Sequence, residues 1–135
     1  MTEDNDIVGL SAQRRYTVSA ADLAPALGSG DVPVLATPRM IAWMEAATVS
    51  AVADALEEGT TTVGTAVEID HVAASVAGAT VAVSATVRAV AGRAVEFDCE
   101  AVEFAEDGTA TVVGHGSISR TVVDRERFLA KLAHR

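Results

Sequence analysis

The chain is poor in aromatic side chains, in cysteine and in positive charge, and each shortage narrows what it can be. Aromatics make up 4% of the 135 residues while Ala and Val abound, so a core must be assembled from small and β-branched groups, which suits tight sheet packing. The single cysteine, Cys99, excludes an intramolecular disulfide framework and a cysteine-based zinc site, and a reducing cytoplasm is the expected setting. Ten Lys and Arg stand against 19 Asp and Glu, a formal charge of −9. That balance repels phosphate backbones and no run of cations interrupts it, so nucleic acid is not an expected partner, although local basic pairs remain able to meet a small phosphorylated ligand. No apolar stretch is long and uncharged enough to cross a bilayer, and residues 1–9 lack the basic start and apolar run of a signal peptide, so a soluble protein without a membrane partner is expected.

Half of the residues are hydrophobic, enough for one domain with a real core and too few for two. Residues 1–9, with their acidic, polar start, read as a disordered tail, which leaves residues 10–135 as a single domain. Weak alternation over residues 14–19 suggests a first strand. An irregular Gly, Ser and Pro connection follows, and Thr37-Pro38 then supplies an N-cap and a proline at the first helical position. The helix should run to about residue 56 or 58 and stop at Gly59.

From Thr61 the pattern changes to period two. Strands are expected over residues 62–72, 80–90, 93–104 and 109–123. Val63, Thr65, Val67, Ile69 and His71 share one face of the first of these. A parity break puts a bulge near Ala101, Ala91-Gly92 and Asp107-Gly108 mark tight turns, and Asp124 should cap a short terminal helix. One long, largely apolar helix followed by a meander of long strands implies an α+β architecture in which a curled antiparallel sheet wraps the central helix, as in a hot-dog fold. Such a sheet leaves long edges and buries its helix incompletely, so a homodimer is expected.

Two polar residues sit where apolar ones are expected. At about 100° per residue, Glu45 falls among Ile41, Val49, Val52 and Leu56, and a buried carboxylate costs several kcal/mol unless it is paired or protonated. His71, by parity, faces the helix. An inward carboxylate and an inward imidazole on adjacent elements are the usual equipment for activating water or a hydroxyl, although each alone is also consistent with a satisfied core residue. Thr37 is most simply a cap, and its hydroxyl also lies beside the free N–H groups of a helix start, an environment suited to an oxyanion. Gly64 interrupts a strand, which marks either close approach by a ligand or a bulge. Arg120 shares the parity of Val112 and Ile118 and is read as pointing inward, or as a strand-end arginine paired with an acid. No role falls to His115, His134 or Cys99, and the histidine spacing suits no metal site.

Three patches carry a resemblance: Val34 through Ala47 with Thr37-Pro38-Arg39 and Trp43-Met44-Glu45, Gly64 through His71, and Gly114-His115-Gly116-Ser117-Ile118-Ser119-Arg120. Together, in this order and spacing, they are similar to the hot-dog thioesterases of the fluoroacetyl-CoA thioesterase-like family. The resemblance implies hydrolysis of short-chain acyl-CoA thioesters to free acid and CoA, without metal or organic cofactor, in a homodimer whose sites lie near the subunit interface. It implies a catalytic set of Thr37, Glu45 and His71, with Gly64 at the acyl site and Arg120 near the substrate. The chain departs from the family in having no Phe, Tyr or Trp in residues 20–36, where a hydrophobic lid is implied, so a broader short-chain specificity is expected. Two other functions fit the fold: a hydratase, disfavoured because no paired Asp and His stand near the helix start, and a non-catalytic acyl-CoA-binding or sensing domain.

Overall fold

A computed structural model describes residues 6–135. Five strands, β1 (Ser11–Thr17), β2 (Thr60–His71), β3 (Thr80–Ala91), β4 (Ala94–Phe104) and β5 (Ala110–Asp124), form one antiparallel sheet in the order β1-β3-β4-β5-β2. Three helices accompany it, a one-turn α1 (Ala24–Leu27), the long α2 (Thr37–Val52) and the terminal α3 (Arg125–Ala133). The expected elements are all present. The turn glycines Gly92 and Gly108 have φ of +61° and +88°, a region that side chains with a Cβ avoid. Residues 1–5 of the expected tail lie outside the described residues. Its remainder joins the fold: Ile7 is 1% exposed, and the Gly9 N–H donates to the Val87 carbonyl at 2.9 Å.

The sheet curls because three strands each carry an irregularity in register, near Thr65 in β2, Arg88 in β3 and Val113 in β5. An extra residue bends and twists its strand, and it also reverses which parity faces inward. In β2 the inward residues are therefore Thr62 and Gly64 before the bulge and Ile69 and His71 after it, not one unbroken odd-numbered row. The break expected near Ala101 in β4 belongs to its neighbour: Ala101 pairs with Gly114 and Val102 with Val112, leaving Val113 of β5 as the extra residue. Alternation in one strand reports that a pair is out of step, but not which strand holds the insertion. Arg120 consequently shares its inward face with Ile118 and Val122, while Val112 is half-exposed.

Helix α2 lies mainly over β1 and β3. It buries Met40, Trp43, Met44, Ala47, Thr48 and Val52, and the Trp43 ring stacks on Tyr16 of β1 with centroids 4.3 Å apart and planes at 4°. The buried Thr48 hydroxyl donates to the Glu45 carbonyl at 2.6 Å. Glu45 itself is on the flank of this face, next to Ile41 and Val49, and not on the face that meets β1 and β3. In a helix so rich in Ala and Val the apolar arc is broad, so the wheel alone selects an arc displaced from the one the sheet covers. Regular helix ends at Val52 and tightens into one 3-10 turn, Ala53–Ala55, before Leu56 turns extended, a common way for a helix to finish. At the far end Asp124 accepts the Arg127 N–H at 2.9 Å and caps α3 as expected.

Candidate active site

Thr37 does not cap its helix. Ala36 occupies the cap position, with no side-chain hydrogen bond there, and the Thr37 Oγ1 instead lies 2.7 Å from Nδ1 of His71. Pro38 keeps the helix start rigid without needing a donor. His71 is the last residue of β2, paired with Gly114 of β5, and the absent side chain at Gly114 leaves room for the Met40 thioether, since a Cβ there would come within 2.6 Å of it. The segment before α2 is tied in place by the Leu35 N–H to the Ser75 carbonyl at 2.7 Å and by the Ala36 N–H to the Asp22 carbonyl at 2.9 Å. These ties hold Thr37 against the strand end.

The Thr37–His71 pair lines an open cleft of about 380 Å³ whose other walls include Val32, Val34, Leu35 and Val72, with no aromatic residue among them. Nε2 of His71 is buried and has no hydrogen-bond partner among the described residues. Burial pushes the imidazole pKa below its ordinary value, opposed only in part by the Ala73 backbone. The ring is thus held neutral near pH 7, with one nitrogen engaged by Thr37 and the other without an occupant, which is the state a general base requires.

A second cluster forms further along the same two elements. Arg120 is buried and donates through Nε to the Thr62 hydroxyl at 2.8 Å, through Nη2 to the Thr62 carbonyl at 3.0 Å and through Nη1 to Glu45 Oε2 at 3.1 Å. Gly64, the ladder partner of Arg120, lies against this ion pair: a Cβ there would stand 2.6 Å from Glu45 Oε2 and 3.2 Å from Arg120 Nη1. The Glu45 side chain remains 40% exposed while that of Arg120 is 8% exposed. The carboxylate therefore presents one edge to the cation and the other to the surroundings.

The expected residues thus fall into two groups. Thr37 joins His71, and Glu45 joins Gly64 and Arg120, but Glu45 is in hydrogen-bond contact with neither Thr37 nor His71. Glu45 lies eight positions along the helix from Thr37, a rise of about 12 Å. Thr62 was not singled out from sequence, because one threonine in a run of three carries no signal until the sheet register places it under Arg120. Among the described residues no cluster of three or more His, Cys, Asp or Glu side chains could hold a metal ion. Cys99 is buried, and desolvation with the nearby Asp98 charge pushes its thiol up to about 12, so it is inert as a nucleophile.

A long helix held by a curled antiparallel sheet, with a hydroxyl–imidazole pair at the helix start, defines a hot-dog protein, and the fold superimposes on a hot-dog-like protein from Thermanaerovibrio acidaminovorans with a TM-score of 0.83 at 24% identity, over 95% of this chain and 91% of that one. Residues 18–126 match the family model described as fluoroacetyl-CoA-specific thioesterase, and the chain belongs to that family. It is 37% identical over 99 residues to the fluoroacetyl-CoA thioesterase of Streptantibioticus cattleyicolor, a match covering 73% of this chain and 68% of the relative. A solved fluoroacetyl-CoA thioesterase is similar at 33% identity with a TM-score of 0.82, over 95% of this chain and 96% of that one. A variant of that enzyme has been solved in complex with acetyl-CoA.

Proposed function

We propose that the protein hydrolyses short-chain acyl-CoA thioesters to the free acid and CoA. The observation that carries this reading is the Thr37–His71 pair, 2.7 Å apart, on the wall of an open cleft and with the second imidazole nitrogen unoccupied. In the tautomer where Nδ1–H donates to Thr37 Oγ1, Nε2 takes a proton from water as the water oxygen attacks the thioester carbonyl. The Thr37 hydroxyl is then free to donate to the developing oxyanion, beside the unpaired N–H groups of the helix start. The C–S bond breaks, the thiolate leaves, and the imidazolium returns its proton.

Glu45 enters this scheme through assembly. β2 is an edge strand, and the apolar Val49, one turn beyond Glu45 in α2, and Val67 of β2 are 44% and 45% exposed. Two copies joined antiparallel through their β2 edges cover these residues and set the Glu45 end of one strand beside the His71 end of the other, so the homodimer completes the site. There Glu45 orients the water whose proton the imidazole takes. Gly64 keeps the acyl side of Glu45 open, and Arg120 holds it in place near the substrate. No described helix is long and apolar enough to cross a membrane, and a single reduced thiol suits the cytoplasm.

The cleft walls support a broad short-chain acyl preference. Val and Leu side chains without an aromatic cover accept acetyl, propionyl or butyryl groups with little discrimination, since one methylene in an apolar pocket is worth only about 1–3 kcal/mol. Thiol release from a panel of acetyl-, fluoroacetyl-, propionyl- and butyryl-CoA tests both points. Turnover across the panel with no strong fluoroacetyl preference is the expected result. Tight binding of acyl-CoA without thiol release would leave a binding domain in place of an enzyme.

A further inference from the structure

The positive charges of this chain divide into two sets. Arg14 is held by Tyr16 and Ser50, Arg15 lies over the Phe104 ring, Arg39 pairs with Asp22, Arg88 with Glu96 and Asp98, and Arg120 with Glu45. The other half of the ten cations, Arg93, Arg125, Arg127, Lys131 and Arg135, come from the β3–β4 turn and from α3 with its tail. None of their side chains makes a hydrogen bond, ion pair or ring contact among the described residues. In a chain of net charge −9 with 19 carboxylates, five cations without a side-chain partner among the described residues, three of them around one cleft, are not expected from chance pairing.

Arg93, Arg127 and Lys131 converge on a cleft of about 120 Å³ that Phe128 also lines. Arg93 and Arg127 continue into an adjoining cleft of about 270 Å³ that reaches Thr60 and Glu57. Of the acids there, Asp124 is occupied in capping α3, while Glu57 borders the wider cleft. We propose that this cleft binds the adenosine 3′,5′-bisphosphate end of coenzyme A, an inference that rests on the acyl-CoA reading above. Guanidinium and ammonium groups match phosphate oxygens in charge and hydrogen bonding, and the partly exposed Phe128 ring offers a face on which adenine can stack. The overall negative charge makes such a place necessary, because a polyanionic substrate is repelled elsewhere.

Its position fits the length of the ligand. The cleft lies at the Thr60 end of β2, some 11 residues or about 36 Å of strand from His71. Coenzyme A carries its phosphates a full pantetheine arm away from its sulfur, so the two ends need sites well apart. In a dimer joined antiparallel at β2, the basic cleft of one copy stands at the end where the other copy holds Thr37 and His71. The nucleotide is then held by one subunit while the thioester meets the imidazole of its partner.

Calorimetry on the intact protein with adenosine 3′,5′-bisphosphate, adenosine and inorganic phosphate tests this without turnover, so that absence of hydrolysis would count against the thioesterase reading alone. The expected result is binding of the bisphosphate, at least tenfold weaker binding of adenosine and of phosphate, and at least tenfold loss of bisphosphate affinity in the exposed double variant Arg127→Glu, Lys131→Glu. The same variant should remove at least tenfold of the kcat/KM advantage of acetyl-CoA over acetyl-pantetheine. Unchanged bisphosphate affinity in the double variant, or phosphate binding as tightly as the nucleotide, would overturn the proposal.

Discussion

The two ends of β2 hold two polar pairs built from the same helix and the same sheet, and the pairs differ in every physical respect. At the His71 end, a neutral hydroxyl and a neutral imidazole share one hydrogen bond and leave a buried nitrogen unoccupied. At the Gly64 end, Arg120 is bonded through all three of its nitrogens and Glu45 supplies the countercharge. The first arrangement is under-satisfied and the second is closed. Buried polar groups left without partners are unfavourable for folding, and a native chain that keeps one beside a cleft retains it for a purpose other than stability. A closed ion pair can hold a carboxylate in place, with three of the five guanidinium N–H donors already engaged.

That contrast can be broken from either end. His71→Ala should lower kcat roughly 10²–10⁴-fold, the usual scale for a positioned base, with little change in melting temperature, because the Thr37 hydroxyl caps nothing that would be lost. Steady-state kinetics and thermal denaturation on the same preparation test it, and retained turnover would remove His71 from the mechanism.

Glu45→Gln acts on both properties. The buried Arg120 keeps Thr62 but loses its carboxylate, so stability should fall by about 1–2 kcal/mol, discounted from a fully buried pair because Glu45 is partly exposed. Turnover should fall by roughly 10²-fold if the carboxylate acts on water or substrate. Denaturant midpoints and kcat measured together separate the two: a stability loss with normal turnover would make Glu45 a strut and nothing more. Because Glu45 is paired with Arg120, neutralising it removes a partner and relieves no unpaired charge.

Gly64→Ala is the milder perturbation. The added methyl meets Glu45 Oε2 at 2.6 Å and Arg120 Nη1 at 3.2 Å, so the carboxylate must move while His71 stays in place. A decrease of about tenfold in kcat/KM, on the scale of a small misplacement of a positioned group, is expected with the His71-dependent pH profile unaltered. Wild-type kinetics in this variant would show that the placement of Glu45 is unimportant.

The smallest effect is that of pH on His71. Burial lowers its folded-state pKa, so between that value and the unfolded value near 6.5 the unfolded chain binds the extra proton. The resulting stability is fully present above about pH 6.5 and is lost as pH falls through the lowered folded value. The acid limb of kcat should likewise lie below pH 6.5. A limb above that pH would mean that another group governs the rate, and loss of the limb in His71→Ala checks the assignment.

How much of this was legible beforehand differs between the two pairs. Thr37 with Pro38 marked a helix start, and the parity of Val67 and Ile69 aimed His71 inward, so a hydroxyl and an imidazole were both within reach of the pattern. That they bond to each other was not, because it depends on the segment before α2 being fixed to Ser75 and Asp22. For Glu45 the wheel found an anomalous carboxylate beside Ile41 and Val49 but set it on the covered face rather than its flank, since an Ala- and Val-rich helix has no sharp polar boundary. Its partner Arg120 lies 75 residues away, and only register brings the two together.

The order and type of the elements, the turns at Gly92 and Gly108, the cap at Asp124 and the shortage of aromatics around the helix start were determined by sequence alone, because propensity, periodicity and turn chemistry act over a few neighbouring residues. Which face of each strand looks inward was decided by the tertiary structure. Side-chain direction in a strand reverses with every inserted residue, and the positions of the bulges near Thr65 and Val113 are set by how the curled sheet closes on α2. The same long-range packing matched one half of the cations with carboxylates, hydroxyls and rings, and it brought Arg93 of the β3–β4 turn beside Arg127 and Lys131, which the terminal helix already places near each other in the chain.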